Sequence, residues 1–162
     1  FTPGKKYNEA ISVKNSGTID TFVRVIITKS WQDKEGKKNT TLSPDLIELN
    51  FLTDNGWQIA NAQSTKERTV LYYTKAVAAG DTTPALSDTL RINPSIASDV
   101  TKHVTESEKG KTITYTYKYN GYTFHIDAEV DAVQTHNAKD AIKSAWGVDV
   151  NVSDDETTMS LQ

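Results

Sequence analysis

The chain has 162 residues, of which 36% are hydrophobic and 24% are charged, with no Cys and a net charge of -3. This length suits one domain that can bury a hydrophobic core, and the ordinary charged fraction argues against wholesale disorder. The absence of Cys excludes disulfides, thiol catalysis and thiolate metal sites. A nucleic-acid partner would need a concentrated basic patch, and a membrane-spanning helix would need about 18 apolar residues in a row, so neither is expected.

A turn at Pro3-Gly4 opens the chain, and a polar stretch beginning at Ser153 lies near its other end. A turn among the first residues indicates that another segment once came before it, which either natural processing or a cut in the chain has removed. We therefore expect a single β-sandwich domain over 1–162, with its N-terminal strand missing before residue 1 and a polar tail after about residue 153.

The first predicted strand covers residues 8–14, where Ile11 and Val13 alternate with polar residues. Lys14 lies next to Asn15, and these residue types form intramolecular isopeptide bonds in some bacterial surface proteins. That reaction needs a buried Lys, whereas alternation places Lys14 opposite Ile11 and Val13, toward solvent. The sequence therefore disfavours an isopeptide bond at this position.

Residues 20–31 form a predicted central strand, because both of its faces are apolar. Val23 and Val25 lie on one face, and Phe22 and Ile26 lie on the other, a pattern typical of a strand that is covered on both sides. Further predicted elements, in chain order, are a polar loop over 33–39, a short helical turn near 43–47, a turn at 54–56, and strands over 67–77, 86–92 and 148–152.

The strongest short-range signal predicts a hairpin over residues 111–119 and 122–133. Apolar and aromatic side chains alternate with polar ones in both segments, and Asn120-Gly121 lies between them. Asn-Gly between two alternating runs is the preferred sequence of a two-residue hairpin turn, so we expect a pair of antiparallel strands.

One α-helix is predicted over residues 137–146. Asn137 would be its N-cap and Asp140 would complete a capping box, while Gly147 would end the helix in the left-handed conformation. The helix would cover one end or edge of the sheet, with Trp146 packed inward. Its apolar stripe consists of Ala138, Ala141, Ile142, Ala145 and Trp146.

Many short strands separated by turns indicate an all-β fold rather than an α/β fold. We expect an antiparallel β-sandwich of the jelly-roll or immunoglobulin-like type, with one helix over 137–146 in the C-terminal half and a short helical turn near 43–47. No internal repeat or low-complexity linker divides the sequence.

The sequence contains no recognisable catalytic motif. His103, His125 and His136 do not form the His-Glu-x-x-His pattern of zinc peptidases, and there is no Gly-x-Ser-x-Gly elbow or Gly-rich phosphate loop. We therefore predict that the protein is not an enzyme, and we assign no catalytic, cofactor-binding or metal-ligating residue and no cofactor.

His125, Asp127, Glu129 and Asp131 form a polar row on one face of the second hairpin strand. Such a row could be a cation site, since hard ions prefer oxygen ligands, or the solvated face of a strand whose other face is core. Residues two apart on a strand lie about 6 to 7 Å apart, too far for neighbouring side chains to close around one ion without outside ligands. The solvated face is therefore the favoured interpretation.

An aromatic row in the same hairpin consists of Tyr115, Tyr117, Tyr119, Tyr122 and Phe124. The row could be a ligand-binding platform. A Tyr-rich inward face is more typical of a core whose hydroxyl groups reach the rim, and we favour the core.

Four parts of the sequence resemble one family of secreted Gram-positive proteins. They are Thr2-Pro3-Gly4 with residues 11–18, Phe22-Val23-Arg24-Val25 with Trp31, residues 64–73, and residues 131–142 with 144–147. The last part, around the predicted helix, is the most distinctive. Together they resemble the SipW-dependent biofilm matrix proteins, the BsaA-like branch of the TasA and camelysin group, over nearly the whole chain.

The resemblance implies a structural role in the extracellular matrix or at the cell surface. Members of this group are exported by a dedicated signal peptidase and assemble into extracellular fibres or pilus-like polymers. The TasA branch is known for a jelly-roll-like sandwich and for an N-terminal strand that is donated to the next subunit. The implied partners are copies of the same chain in a fibre and other matrix components, with no nucleic acid and no membrane span.

Two alternatives stay open. One is a secreted surface adhesin or ligand-binding module that uses the Tyr-rich hairpin or the long loops. The other is a secreted metallopeptidase, as the camelysin branch is labelled, which the lack of a recognisable metal-binding motif disfavours.

Overall fold

The computed structural model describes residues 3–96, 100–107, 110–117 and 122–162, with the backbone alone in the second and third ranges. Twelve β-strands, one α-helix and two short 3-10 turns lie within these residues. The strands are β1 (Tyr7–Ile11), β2 (Thr21–Gln32), β3 (Lys38–Asn39), β4 (Ile47–Phe51), β5 (Trp57–Ile59), β6 (Arg68–Tyr73), β7 (Ser87–Ile92), β8 (Val100–Ser107), β9 (Gly110–Tyr117), β10 (Thr123–Gln134), β11 (Val150–Val152) and β12 (Met159–Leu161). The helix α1 is Ala138–Trp146, and the 3-10 turns are Pro44–Leu46 and Asn61–Gln63.

The strands form two main antiparallel sheets and one small hairpin. The seven-stranded sheet has the order β5-β6-β2-β10-β9-β8, with β3 paired to the end of β2. The three-stranded sheet has the order β1-β7-β4, and β11 pairs with β12. The predicted all-β antiparallel sandwich with a single helix is confirmed.

The predicted hairpin over 111–119 and 122–133 is confirmed as β9 and β10. These strands pair from Gly110 opposite Glu129 to Thr116 opposite Thr123. Residues 118–121, which include the end of the first predicted strand and the Asn120-Gly121 turn, lie outside the described residues. On its other side β10 pairs with β2 along its full length, from Thr123 to Gln134.

The first hydrophobic core lies between the two main sheets. Trp31 and Phe124 meet edge to face with their ring centroids 5.2 Å apart. The indole N–H of Trp57 donates to the carbonyl oxygen of Pro84 (2.9 Å), so this buried ring keeps a polar partner. The buried members of this core are Ile11, Val13, Val23, Val25, Ile27, Trp31, Ile47, Leu49, Trp57, Leu71, Tyr73, Val77, Leu86, Leu90, Ile92, Ile96, Phe124, Ile126 and Ala128.

A second core lies on the opposite face of the seven-stranded sheet, beneath α1 and the β11–β12 hairpin. Phe22 of β2 shares this core with Ile142 of α1 and Met159 of β12. The rings of Tyr72 and Trp146 meet there at a centroid distance of 5.7 Å. Both faces of β2 are therefore covered, as the two apolar faces of its sequence predict.

The start of α1 differs from the prediction. Asn137 has a left-handed backbone (φ 54°, ψ 34°) and its side chain makes no capping hydrogen bond, so the predicted capping box with Asp140 is wrong. Because β10 ends at Gln134, the chain must turn into the helix within 135–137, and Asn tolerates the left-handed backbone that this turn uses. Gly147 ends the helix with φ 70°, as predicted.

The helix α1 lies on a face of the large sheet and shares a core with Phe22 and Val133, which lie near the start of β2 and the end of β10. Its inward row consists of Ala138, Ile142 and the half-buried Trp146, which are spaced by four residues. Ala145, a member of the predicted stripe, lies to one side of this row and is exposed.

Residues 153–158 form a turn between β11 and β12, which differs from the expected polar tail after residue 153. The hydroxyl of Ser153 donates to Asp155 Oδ1 (2.7 Å) and accepts from the backbone N–H of Thr158 (3.0 Å). Met159, directly after the turn, is 3% exposed in the second core. The polar residues thus provide the hydrogen bonds within this turn, and the buried side chain of Met159 anchors β12 in the second core.

The short helical turn near 43–47 is confirmed as the 3-10 turn Pro44–Leu46. The hydroxyl of Ser43 accepts a hydrogen bond from the backbone N–H of Asp45 (3.2 Å), and the proline stands at the start of the turn. Trp31 donates its indole N–H to the carbonyl oxygen of Ser43 (3.0 Å), which fixes the turn on β2.

Candidate functional site

The polar row of β10 lies on the face of the large sheet that carries α1. Asp127 and Glu129 are exposed, while His125 and Asp131 are half-buried. Phe124, on the opposite face, is fully buried, in agreement with the interpretation of the row as the solvated side of a strand. Among the residues whose side chains are described, no group of three or more His, Asp or Glu is placed to hold a metal ion.

Asp131 has a specific partner on the neighbouring strand. Its Oδ2 accepts from Arg24 Nη2 (2.7 Å) and Nε (3.2 Å), and the two residues lie directly opposite each other in the β2–β10 register. The guanidinium of Arg24 also lies over the ring of Trp146, 5.2 Å from its centroid. This arrangement joins β2, β10 and α1 and neutralises one carboxylate of the row.

The environment of His125 shifts its titration. Burial lowers the pKa of the imidazole because the charged form loses hydration, and the nearby Asp127 opposes this by favouring the charged form. His136 lies elsewhere, on the surface, with its Nδ1 3.2 Å from Glu156 Oε1. The side chain of His103 lies outside the described residues.

The aromatic row is only partly described. Phe124 is fully buried, and Tyr122 is partly buried against the core between the sheets. The side chains of Tyr115, Tyr117 and Tyr119 lie outside the described residues. A shallow depression of about 550 Å³ runs along β5, but its aromatic residue, Trp57, is only 1% exposed and presents no ring to a ligand.

The structure contains a buried lysine that the sequence analysis missed. Lys14 is exposed, as predicted, whereas Lys29 is 8% exposed and donates from Nζ to the carbonyl oxygen of Ile47 (2.8 Å). Burial lowers the pKa of Lys29, against the attraction of Asp45 and Glu48. This contact ties β2 in one sheet to β4 in the other.

The signal for Lys29 is present in the sequence. Lys29 shares the alternation of Ile27 and Trp31 within β2, which places all three side chains on the face between the sheets. A charged side chain is rarely buried without a partner. From the alternation alone, Lys29 would therefore be expected to lie at an end of the strand where its side chain reaches solvent. The hydrogen-bond partner of Lys29 is a backbone carbonyl oxygen of β4, which lies next to Lys29 only because the two sheets pack together.

An open edge within the large sheet, beside β10, is a candidate for an interaction surface. On one side of β10, pairing with β9 stops at Glu129, because β9 begins at Gly110. On the other side, pairing with β2 continues to Gln134. We name residues 130–134 the β10 edge. Within the part of the chain that the structure describes, no strand pairs with the outer side of this edge.

The β10 edge carries exposed apolar side chains. Val130 is 42% exposed and Ala132 is also exposed. Their partners across the β2–β10 register, Val25 and Val23, are 0% and 2% exposed. Ile19 and Val130 are the exposed large hydrophobic residues in the described part of the chain, and only Val130 lies in a strand. The edge therefore combines unpaired backbone with apolar surface.

The other described edges differ in how well they suit pairing. β1 and β4, the edges of the three-stranded sheet, each contain a register shift against β7, and such irregularities hinder further strand addition. In the large sheet, β5 at one end spans only Trp57–Ile59, whereas β8 at the other end is a regular eight-residue strand that pairs with β9. The side chains of β8 lie outside the described residues. Among the edges whose side chains are described, the β10 edge continues a regular twelve-residue strand.

Comparison of the chain with protein-family models, with curated proteins and with solved structures finds no match. Within the described residues, no helix is long and apolar enough to cross a membrane.

Proposed function

We propose that this protein is a structural subunit of an extracellular fibre or pilus-like polymer in a biofilm matrix. Subunits join head to tail, by exchange of a strand from an N-terminal segment of one copy to a sheet edge of the next. The partners are other copies of the chain and other matrix components, and the place of action is the extracellular matrix or the cell surface. The resemblance of residues 131–147 and of the N-terminal half to matrix proteins supports this role.

The physical basis of the proposal is strand addition. An unpaired strand edge offers a row of backbone donors and acceptors that a strand from another molecule satisfies. When a donated segment and the accepting edge lie on different parts of the subunit, the contact is heterologous, and a heterologous contact that does not close into a ring produces a filament. Specificity then comes from the side chains beside the edge.

The single observation that carries the proposal is the β10 edge. It has five residues of a regular strand with one side unpaired among the described residues, and it exposes Val130. An exposed apolar edge favours association with another chain. A subunit that receives a strand would use such an edge.

The proposal is tested by comparing two samples, the chain 1–162 and the protein isolated from its natural source. Both are concentrated and followed by light scattering and negative-stain microscopy. Filaments from the natural protein alone would locate the donated strand outside 1–162, and filaments from both would locate it within these residues. If neither sample assembles and deletion of the gene leaves the matrix unchanged, the proposed function is wrong.

A further inference from the structure

We infer that Lys29 aligns the two main sheets and does not add to their stability: together with Trp31, it holds the connecting segment 43–47 against β2 and so fixes where β4 begins. The inference is independent of the proposed function. Three observations support it: what the two side chains contact, how incompletely the connecting segment is packed, and how few partners the buried ammonium group has.

Residues 43–47 connect the large sheet to the small one. The preceding strand β3 pairs with the end of β2, whereas β4 begins at Ile47 and pairs with β7. The 3-10 turn Pro44–Leu46 lies between these two strands. The position of the connecting segment therefore determines where β4, an edge strand of the three-stranded sheet, enters that sheet.

Two side chains of β2 hold the connecting segment, one at each end. Lys29 donates from Nζ to the carbonyl oxygen of Ile47 (2.8 Å), and the indole N–H of Trp31 donates to the carbonyl oxygen of Ser43 (3.0 Å). Because Lys29 and Trp31 are two residues apart on one strand, both side chains lie on the same face of it. Both acceptors are backbone atoms, so the two bonds constrain the path of the chain itself.

Apolar packing around the connecting segment is incomplete. A cavity of about 150 Å³ is lined by residues of β2 and of this part of the chain, among them Trp31, Leu42 and Pro44. Leu42 and Leu46 are only partly buried against the core. Side chains beside a gap lack packing partners on that side. The two hydrogen bonds therefore supply a positional constraint that packing does not supply there.

The ammonium group of Lys29 is buried with few compensating contacts. Lys29 is 8% exposed, and no carboxylate of the described residues lies within ion-pair distance of it. Of the two carboxylates that favour its charged form, Asp45 pairs with Lys66 (3.6 Å). The other, Glu48, pairs with Arg91 (2.9 Å). A charge buried in this way costs stability that an apolar side chain of similar length would not, so the contribution of Lys29 is geometric.

The first arm of the test replaces the ammonium group by an apolar side chain of similar length, Lys29→Met. Lys14→Met is the matched control, because Lys14 is exposed. Two quantities are measured on the chain 1–162. They are the urea midpoint of unfolding and the native-state amide hydrogen exchange of residues 45–49, with β6 as the internal reference.

The expected result is that Lys29→Met unfolds at the same urea concentration as the unchanged chain or a higher one. Its exchange at 45–49 should nevertheless be about tenfold faster, with exchange in β6 no faster. Lys14→Met should change neither quantity. A midpoint clearly below that of the unchanged chain would make Lys29 an ordinary stabilising residue, and unchanged exchange at 45–49 would make it unnecessary for alignment. Either result would overturn the inference.

The second arm tests the other anchor and does not depend on the folding of Lys29→Met. Trp31→Phe keeps an aromatic ring beside Phe124 and removes the hydrogen-bond donor to Ser43. Exchange of the turn amides of Leu46 and Ile47, measured relative to β6, should become about fivefold faster. Unchanged relative exchange at these two amides would overturn the joint role of Lys29 and Trp31.

Discussion

The two parts of β10 have the same alternating sequence pattern but different surroundings. Residues 123–129 are paired on both sides, and Phe124, Ile126 and Ala128 are buried in the sandwich core. Residues 130–134 are paired with β2, and Val130 on the same face is 42% exposed. The difference teaches that alternation assigns a residue to a face, whereas burial depends on whether another layer covers that face at that point.

The register makes the comparison sharper. Val25 and Val130 lie directly opposite each other on the same face of the large sheet, yet Val25 is fully buried. The boundary of the core therefore passes between two neighbouring strands. Val25 belongs to the core between the sheets, whereas Val130 is not among its buried members.

The largest expected effect is at the covered end of β10. Phe124→Ala should lower the free energy of unfolding by about 3 to 5 kcal/mol, because it removes a buried ring that packs against Trp31 and leaves a cavity. Urea unfolding monitored by fluorescence measures this loss. Phe124→Leu is the control and should cost clearly less, since it keeps most of the buried volume. Similar losses for both variants would contradict the packing described here.

The second effect is smaller and compares identical residues across the boundary. Val25→Ala should cost about 2 kcal/mol, and Val130→Ala should cost less than about 1 kcal/mol, because only the first removes fully buried methyl groups. The same unfolding measurement on the monomeric chain gives both values. Equal costs would mean that another layer covers Val130.

The sequence predicts the centre of the large sheet well. The two apolar faces of 20–31 and the alternation around Asn120-Gly121 are local patterns, and local patterns suffice where a strand is long and fully covered. The resulting predictions of β2, of the β9–β10 pair and of an all-β sandwich are confirmed.

Several strands are missed in the sequence analysis. β5 has three residues and β8 has only two apolar positions, Val100 and Val104, so neither has a strong period. β12 depends on Met159 reaching the second core after a polar turn. The left-handed backbone at Asn137 is needed because only residues 135–137 connect the end of β10 to the start of α1.

The candidate edge is harder still to foresee. The sequence places Val130 on the same face as Ile126, but it contains no information about where β9 stops or how far the small sheet extends. Lys29 illustrates the same limit, since its partner is a backbone carbonyl of the opposite sheet. Both features depend on the relative width and position of two sheets, which are properties of the tertiary structure.

The third prediction concerns the ion pair that connects the β10 edge to β2. The Arg24–Asp131 pair is partly buried and has two hydrogen bonds to one carboxylate oxygen, so a double-mutant cycle with Arg24→Met and Asp131→Asn should give a coupling of about 1 kcal/mol. The exposed pair Lys34–Glu35, at 3.9 Å, is the control and should give a coupling near zero. A coupling near zero for both pairs would show that pairing with β2 alone holds this segment.

The smallest predicted effect is a pH dependence at the covered end of β10. Burial lowers the pKa of His125 in the folded chain below its usual value of 6.5, so the unfolded chain binds the proton more readily. The contribution of this residue to stability is therefore complete above about pH 6.5 and is lost as the pH falls through this value toward the folded pKa. Asp127 reduces the loss because its carboxylate favours the charged imidazole. Unfolding free energies measured between pH 7.5 and 5, on the unchanged chain and on His125→Gln, isolate the contribution from that of the carboxylates. The unchanged chain should lose more stability over this interval than His125→Gln, and parallel curves would show that the imidazole is as well hydrated in the fold as in the unfolded chain.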